Sequence, residues 1–375
     1  MEIVNNFING EFVIPQNNKY IDLYEPATGK IYGKVANSSK LDVKDAISAA
    51  KNAFPEWSNK PVVERASYLK NIAIGLQSRL NDLAQSESRD TGKPISIAIT
   101  IDIPRAIKNF IFFSNYVKDF ESTYNLNNEN FSNTIIRSPL GIVACISPWN
   151  LPLYLFSWKI APALAVGNTV IAKPSEITPY TASKLAEVCN DIGLPKGVLN
   201  IVNGFGSTVG EDIVKEQNIK AISFTGGTET GSEIYKNSSV SMKKLSLEMG
   251  GKNPAIVFED CDYDRMLETI VKSSFTNQGQ ICLCSSRIFI ENQIYEKFKI
   301  DFIDAVSEIT IGDPNDSDIQ YGAISSAEQL KKISYYVDLA KKENGKILLG
   351  GNSVKFSGRC QEGWFYEPTI IEGLD

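Results

Sequence analysis

From Gly141 onward the sequence alternates short β-branched runs with helical patterns, and no other feature of its 375 residues narrows the fold as far. The runs cover 142–146, 169–172, 198–202, 221–224, 244–247, 255–258 and 287–290. Strand–helix alternation of this kind predicts a mostly parallel sheet covered by helices on both sides. The clearest helix opens at Thr178-Pro179, read as a cap followed by proline at the first helical position. It repeats Ala182, Leu185, Ala186 and Cys189 on one face and ends near Gly193. Ahead of the alternation the chain reads as helical. Val43, Ile47, Ala50 and Phe54 recur at helical spacing behind Ser39, and a second helix is expected over 63–87, stopping near Thr91-Gly-Lys-Pro94. The polar stretch 125–130 is turn-like and separates the two textures.

In open α/β sheets, ligands bind beyond the carboxyl ends of the strands. The residues following each run therefore test for a site. Five consecutive runs end in polar or glycine-rich turns: Ser147-Pro-Trp-Asn150, Lys173-Pro-Ser-Glu176, Asn203-Gly-Phe-Gly206, Thr225-Gly-Gly-Thr228 and Glu248-Met-Gly-Gly-Lys252. Any one could be an ordinary connection; the set points to a site. Glycines allow close backbone approach to a pyrophosphate, and helix N-termini offer it positive partial charge. Gly204-Phe-Gly206-Ser-Thr-Val-Gly210 departs from GxGxxG by one residue, so alone it is an ordinary strand-to-helix turn. Lys173 is placed to donate to ribose hydroxyls and Glu176 to accept from them. That carboxylate would repel a 2′-phosphate and favour NAD over NADP, although a plain helix-entry turn would also use both residues.

Composition removes whole classes of chemistry. Histidine is absent, which excludes Ser-His and Cys-His catalytic pairs and every His-ligated metal or haem site. The six cysteines include no CxxC pair and are too sparse for a disulfide framework, so neither a metal nor a disulfide scaffold is expected. A net charge of −6, without a basic block, leaves no footprint for nucleic acid or an anionic membrane. The most apolar stretch, 151–172, is broken by Lys159, Pro162, Gly167 and Asn168 and does not span a bilayer. The first residues have no basic and apolar regions of a signal peptide, so a cytoplasmic protein is expected.

Cys282 and Cys284 lie in Gln278-Gly-Gln-Ile-Cys-Leu-Cys-Ser-Ser-Arg287, just after a helix expected over 263–276. Alternation through Ile281, Cys282, Leu283 and Cys284 would put both thiols on one face. A thiolate nucleophile here would have to be activated without histidine, by amide donors, a helix end or a cofactor's charge. A general base must then be a carboxylate, Lys, Tyr or another thiolate. Glu248, beside two glycines at a strand end, is the best-placed carboxylate; its plainer reading is a solvated turn residue.

Taken together, Asn6-Phe-Ile-Asn-Gly10, Ser147-Pro-Trp-Asn150, Lys173-Pro-Ser-Glu176, Phe224-Thr-Gly-Gly227, Leu247-Glu-Met-Gly-Gly-Lys252 and Gln278-Gly-Gln-Ile-Cys282 resemble the aldehyde dehydrogenase superfamily in order and spacing. The resemblance implies an α/β aldehyde dehydrogenase-like fold, with a Rossmann-like NAD-binding domain and an α/β catalytic domain. It implies Cys282 as nucleophile, Glu248 as general base and Asn150 as oxyanion donor. Ser147, Pro148, Trp149, Lys173, Ser175, Glu176, Gly206, Phe224, Thr225, Gly226, Gly227 and Met249 would contact the dinucleotide. Cys284 matches no catalytic position and is expected to pack. Met249 stands where leucine is more usual, and Gly227 lacks a hydroxyl that some relatives place near the pyrophosphate.

Within the superfamily, Asp102-Ile-Pro-Arg-Ala-Ile-Lys-Asn-Phe110, Ser147-Pro-Trp-Asn-Leu-Pro-Leu-Tyr-Leu155 and Ile281-Cys-Leu-Cys-Ser-Ser-Arg-Ile-Phe289 look most like 2-aminomuconic and 2-hydroxymuconic semialdehyde dehydrogenases. Arg105 stands in an apolar stretch where a charge needs a partner. It either pairs with Asp102 at i, i+3 or binds a substrate carboxylate. Asn150, Tyr154 and Trp158 recur at i, i+4, i+8, so in a helix one face would carry them. That stripe, with Leu151, is either core or the wall of a substrate tunnel. The alternatives are another aldehyde, such as betaine aldehyde or an aliphatic aldehyde, and an inactive dinucleotide-binding polypeptide.

The resemblance divides the chain into an NAD-binding domain, 1–120 and 140–249, an oligomerisation β excursion, 121–139, and a catalytic domain, 250–375. Family members continue with a Glu-Ile-Phe-Gly-Pro segment and an oligomerisation tail, so the catalytic domain is expected to be incomplete at its C-terminus. The full-length form is expected to be a homo-oligomer acting on a small aldehyde.

Overall fold

The computed structural model describes residues 1–374 and resolves the chain into two units. Unit one comprises Met1–Asp22, Gly33–Ala84 and Ile99–Glu248; unit two comprises Leu23–Tyr32, Gln85–Ala98 and the chain from Met249. The last residue of the expected 250–375 domain, Asp375, lies outside the described residues.

A seven-stranded sheet organises unit one. In chain order its strands are β1 (Asn6–Ile8), β2 (Glu11–Val13), β3 (Ile142–Ile146), β4 (Thr169–Lys173), β5 (Leu199–Ile201), β6 (Ile219–Gly226) and β7 (Lys244–Met249). They stand in the order β7-β6-β3-β4-β5-β1-β2. β6, β3, β4 and β5 are parallel neighbours, with Ile142 opposite Thr169 and Ile146 opposite Lys173, while β1 and β2 add antiparallel at one edge. Every residue of β3, β4 and β5 is buried, which is why these runs are continuously apolar or β-branched rather than alternating. The strand order reverses beside β3: β4 and β5 extend to one side, β6 and β7 to the other. That reversal makes a topological switch point, where an open sheet leaves a crevice outside its carboxyl edge.

The helices are α1 (Lys40–Asn59), α2 (Val62–Ser78), α3 (Leu80–Thr91), α4 (Ile103–Tyr116), α5 (Pro152–Ala165), α6 (Tyr180–Asp191) and α7 (Thr228–Ser239). Ser39 starts α1 as expected, through a capping box with Asp42. Val43, Ile47 and Ala50 then enter a core with Ile171, Ile222, Phe224 and Ile234.

Two local expectations change. The helix predicted over 63–87 is two helices broken at Arg79, whose guanidinium is drawn to Glu187 and Asp191 of α6. Thr178 does not cap α6. Pro179 holds the N-cap position without a side-chain bond, and the Thr178 hydroxyl donates to the Trp149 carbonyl, 3.2 Å away. The polar stretch 125–130 includes the turn of an antiparallel hairpin, Thr123–Asn127 with Ser132–Ile136, closed by a bond from Asn128 N–H to the Phe131 carbonyl.

Unit two contains a parallel pair, β8 (Asn253–Val257) and β9 (Ser285–Ile290), with α8 (Tyr263–Phe275) and α9 (Tyr295–Ser307). Val257, Ile270, Phe298, Phe302 and Val306 form its core. The segments 23–32 and 85–98, which the sequence alone assigns to the NAD-binding domain, belong here because their backbone is bonded into it. Trp364 N–H donates to Pro26 O, Ala323 N–H to Gly92 O, and Ile95 N–H to Pro314 O. Among the described residues, no helix is long and apolar enough to cross a membrane.

Candidate functional site

In unit one the switch point collects the predicted residues at the ends of β3, β4 and β6. Ser147 continues β3 by one bond, from its N–H to Lys173 O at 3.0 Å. Its hydroxyl is buried without a hydrogen-bond partner, an orphaned polar atom that a bound group would satisfy. Pro148 and Trp149 are half-buried, and the Trp149 carbonyl is tied to Thr178. Asn150 lies in the turn before α5 rather than on it, so the expected i, i+4, i+8 stripe begins with Tyr154. Its Oδ1 accepts from the Leu151 N–H at 3.1 Å. This bond fixes the amide so that Nδ2 is its donating end. Leu151 itself is buried.

Lys173, at the end of β4, is buried, and its Nζ donates to Pro174 O and to the Glu176 carboxylate at 3.2 Å. Burial pulls its pKa down while Glu176 opposes the shift. Ser175 is buried and turns the backbone by accepting from Ile177 N–H. At the end of β6, Phe224 is in the core and its ring fills the space a Cβ on Gly226 would take, 2.5 Å away, so this glycine is required by packing. Gly206 and Gly227 are different. A Cβ on either would meet nothing within 4 Å, which leaves an open cradle, and Gly227 is the N-cap of α7. Thr225 is buried and accepts from Lys159 Nζ at 2.7 Å. Glu248 and Met249 are exposed at the end of β7.

Lys159 is the residue sequence reasoning missed. It sits on α5 and appears in the sequence only as an interruption of an apolar run. In the fold it is a buried cation that also reaches Ser223 at 3.4 Å. Burial lowers its pKa; Cys145 and Glu248 oppose that shift.

Arg105, on α4, is exposed and makes no ion pair with Asp102. Its Nη2 donates to the Tyr154 hydroxyl at 3.0 Å, and its Cζ lies 5.2 Å from the centre of that ring. Trp158, one turn further along α5, is half-exposed and edge-on to Phe113.

The thiols lie in unit two. Residues 281–284 form a turn closed by the bond from Cys284 N–H to Ile281 O, 3.1 Å, so the expected alternation does not occur. Cys282 is exposed. Cys284 is buried, its Sγ 3.8 Å from Thr276 O, and burial pushes its pKa up, which suits packing and not nucleophilic attack. The approach to Cys282 is braced. Asn277 (φ 55), Gln278 (φ 57) and Gly279 (φ 71) run consecutively through the left-handed region, which is costly for the two non-glycines. Gln278 Nε2 donates to Ala323 O at 2.7 Å and Gln280 accepts from Ser325 N–H at 3.1 Å. Asn253 Nδ2 donates to the Cys282 and Cys284 carbonyls. Among the described residues, no group of three or more Cys, Asp or Glu side chains is placed to hold a metal ion.

Residues 12–375 match the model of the aldehyde dehydrogenase family. The chain belongs to the aldehyde dehydrogenase family. It is 44% identical to the 2-aminomuconic semialdehyde dehydrogenase of Mus musculus, over 99% of this chain and 77% of that protein. It is 37% identical to the 5-carboxymethyl-2-hydroxymuconate semialdehyde dehydrogenase of Escherichia coli, over 100% of this chain and 80% of that protein. The crystal structure of betaine aldehyde dehydrogenase from Staphylococcus aureus, in complex with NAD+, superimposes with a TM-score of 0.95 at 35% identity, over 99% of this chain and 74% of that one. The dehydrogenase fold is thus shared by relatives named for chemically different aldehydes, and discrimination between substrates must come from side chains.

Proposed function

We propose that this aldehyde dehydrogenase oxidises a muconic-type semialdehyde to its carboxylic acid, with NAD as hydride acceptor and Cys282 as nucleophile. The observation that carries the reading is the exposed Cys282 thiol on a braced turn, in a histidine-free family member that keeps Glu248 and Asn150. The residues fit a dinucleotide: an orphaned Ser147 hydroxyl, the buried Lys173–Glu176 pair, and two glycines, Gly206 and Gly227, whose missing side chains leave open space. With Pro148, Trp149, Ser175, the Phe224–Gly226 strand end and Met249, these would hold NAD, which when bound accepts a hydride.

The Cys282 thiolate attacks the aldehyde carbon, and the carbonyl electron pair moves to oxygen. Asn150 Nδ2 and the Cys282 N–H donate to that oxyanion; one such donor is worth about 3 kcal/mol of barrier. Loss of hydride leaves a thioester on Cys282. Glu248 takes a proton from water, which attacks the thioester carbon, releases the acid and regenerates the thiolate. Arg105 binds the distal carboxylate of the substrate, with Leu151, Tyr154 and Trp158 beside it. The 44% identity to a muconic semialdehyde dehydrogenase supports this substrate over betaine or aliphatic aldehydes. Six free cysteines suit a cytoplasmic enzyme, and the exposed Leu126, Phe131 and Ile136 of the hairpin region suit a homo-oligomer.

Single-turnover kinetics with NAD and a muconic-type semialdehyde test the assignment. Glu248→Gln is expected to keep a burst of NADH and lose about 10²–10⁴-fold in steady-state rate. Cys282→Ser is expected to abolish the burst; a burst that survives it overturns the proposal.

A further inference from the structure

We infer that Tyr154 is a positioning residue that sets the preference for anionic substrates by holding Arg105 in place; this rests on the reading of Arg105 given above. An arginine serving only as structure in an exposed position is ordinarily matched by a carboxylate. Here, among the described residues, no carboxylate lies within ion-pair distance of Arg105, and its side-chain partner is a neutral phenol. The Tyr154 hydroxyl accepts one guanidinium N–H and its ring lies beneath Cζ, so the side chain is held without its charge being neutralised. A held cation with donors to spare is what a carboxylate ligand requires.

The phenol is itself fixed. Asn109, one turn beyond Arg105 on α4 and buried, donates from Nδ2 to the Tyr154 carbonyl at 3.1 Å and to Ser157 Oγ at 2.9 Å. Ser157 Oγ donates back to the Tyr154 carbonyl at 2.8 Å. This clamp joins α4 to α5 at the level of Tyr154, and so sets where the phenol meets Arg105. An untethered arginine must surrender its rotamer freedom when the ligand arrives; a tethered one has already done so.

The test is calorimetric titration of the full-length protein with adipate, a dicarboxylate of muconic chain length, accompanied by the ratio of kcat/KM for adipate semialdehyde over hexanal. Tyr154→Phe keeps the ring and the packing and removes only the acceptor. It is expected to weaken adipate binding about tenfold, the cost of immobilising one long side chain, and to lower the kinetic ratio by the same factor. Arg105→Ala should weaken binding at least as much, and adding Tyr154→Phe to it should change nothing further. If Arg105→Ala weakens binding while Tyr154→Phe does not, the positioning role is overturned and the Arg105 reading stands. If adipate binds wild type and Arg105→Ala equally, or binds neither, the Arg105 reading itself fails.

Discussion

Cys189 lies on the buried face of α6, and burial pushes its thiol up to about 12 from an ordinary value of 9.0. Because the folded value is raised, its contribution to stability is complete below pH 9 and is lost as pH rises toward 12, where the unfolded chain sheds the proton first. One such thiol contributes a slope of about 1.4 kcal/mol per pH unit in that window. Cys189→Ala should therefore flatten the alkaline fall in urea midpoint while adding a pH-independent packing loss; a variant with the wild-type slope would remove burial as the cause. Cys145 is pushed up to about 12 as well, but the neighbouring Lys159 opposes it, so Cys189 is the cleaner probe. Residue types were legible where motif and position coincide, as at Ser147, Lys173 and Cys282. Lys159 was not, because its meaning comes from Thr225 and Ser223, which only the fold places beside it. The two thiols of 282 and 284 were read as equivalent because the alternation assumed a strand where the chain makes a turn.

At the scale of elements, strands were the most readable. A strand buried on both faces must be apolar throughout, and β3 and β4 begin and end within a residue of their expected limits. Helix breaks were less so. Nothing local ends the 63–87 pattern at Arg79; the break depends on acids more than a hundred positions away. A similar long-range constraint acts at Gly75, in the interior of α2. Alanine there would gain about 1 kcal/mol of helix propensity. Its Cβ, however, would stand 2.6 Å from Cγ1 of the buried Val188 on α6. Overpacking of this kind costs about 1–3 kcal/mol, so the clash should win and Gly75→Ala should destabilise the protein by about 1 kcal/mol. Thermal denaturation of the single variant and of Gly75→Ala with Val188→Ala checks the cause. The double variant should recover the share due to the clash, and a stabilised single variant would show that Val188 yields freely.

For the whole molecule, the informative fact is that unit two is assembled from three stretches of chain. A sequence reading naturally treats 250–375 as a self-contained catalytic domain, because hydrophobic periodicity reports neighbours in sequence and not partners in space. In the structure that domain borrows a pair of segments from earlier in the chain. Pro26, Gly92 and Ile95 exchange backbone hydrogen bonds with Trp364, Ala323 and Pro314. Ala27 packs in the core with Ala323, Cys360 and Phe365, and Arg359 joins Glu25 to Asp313. The fit is close enough to demand glycine. A Cβ on Gly322 would lie 2.0 Å from the Gly92 carbonyl, and one on Gly363 would lie 2.2 Å from that of Ala27. Three backbone bonds at about 1 kcal/mol each, with the Ala27 packing and the Arg359 bridge, come to something on the order of 5 kcal/mol. That equals the low end of a domain's total stability. Residues 249–375 expressed alone should therefore lack a cooperative thermal transition, and their amides should exchange rapidly throughout. The same fragment carrying 23–32 and 85–98 on flexible linkers should regain some of the transition. A sharp melt of the bare fragment at the temperature of the intact protein would show that the borrowed segments merely decorate a unit already able to fold.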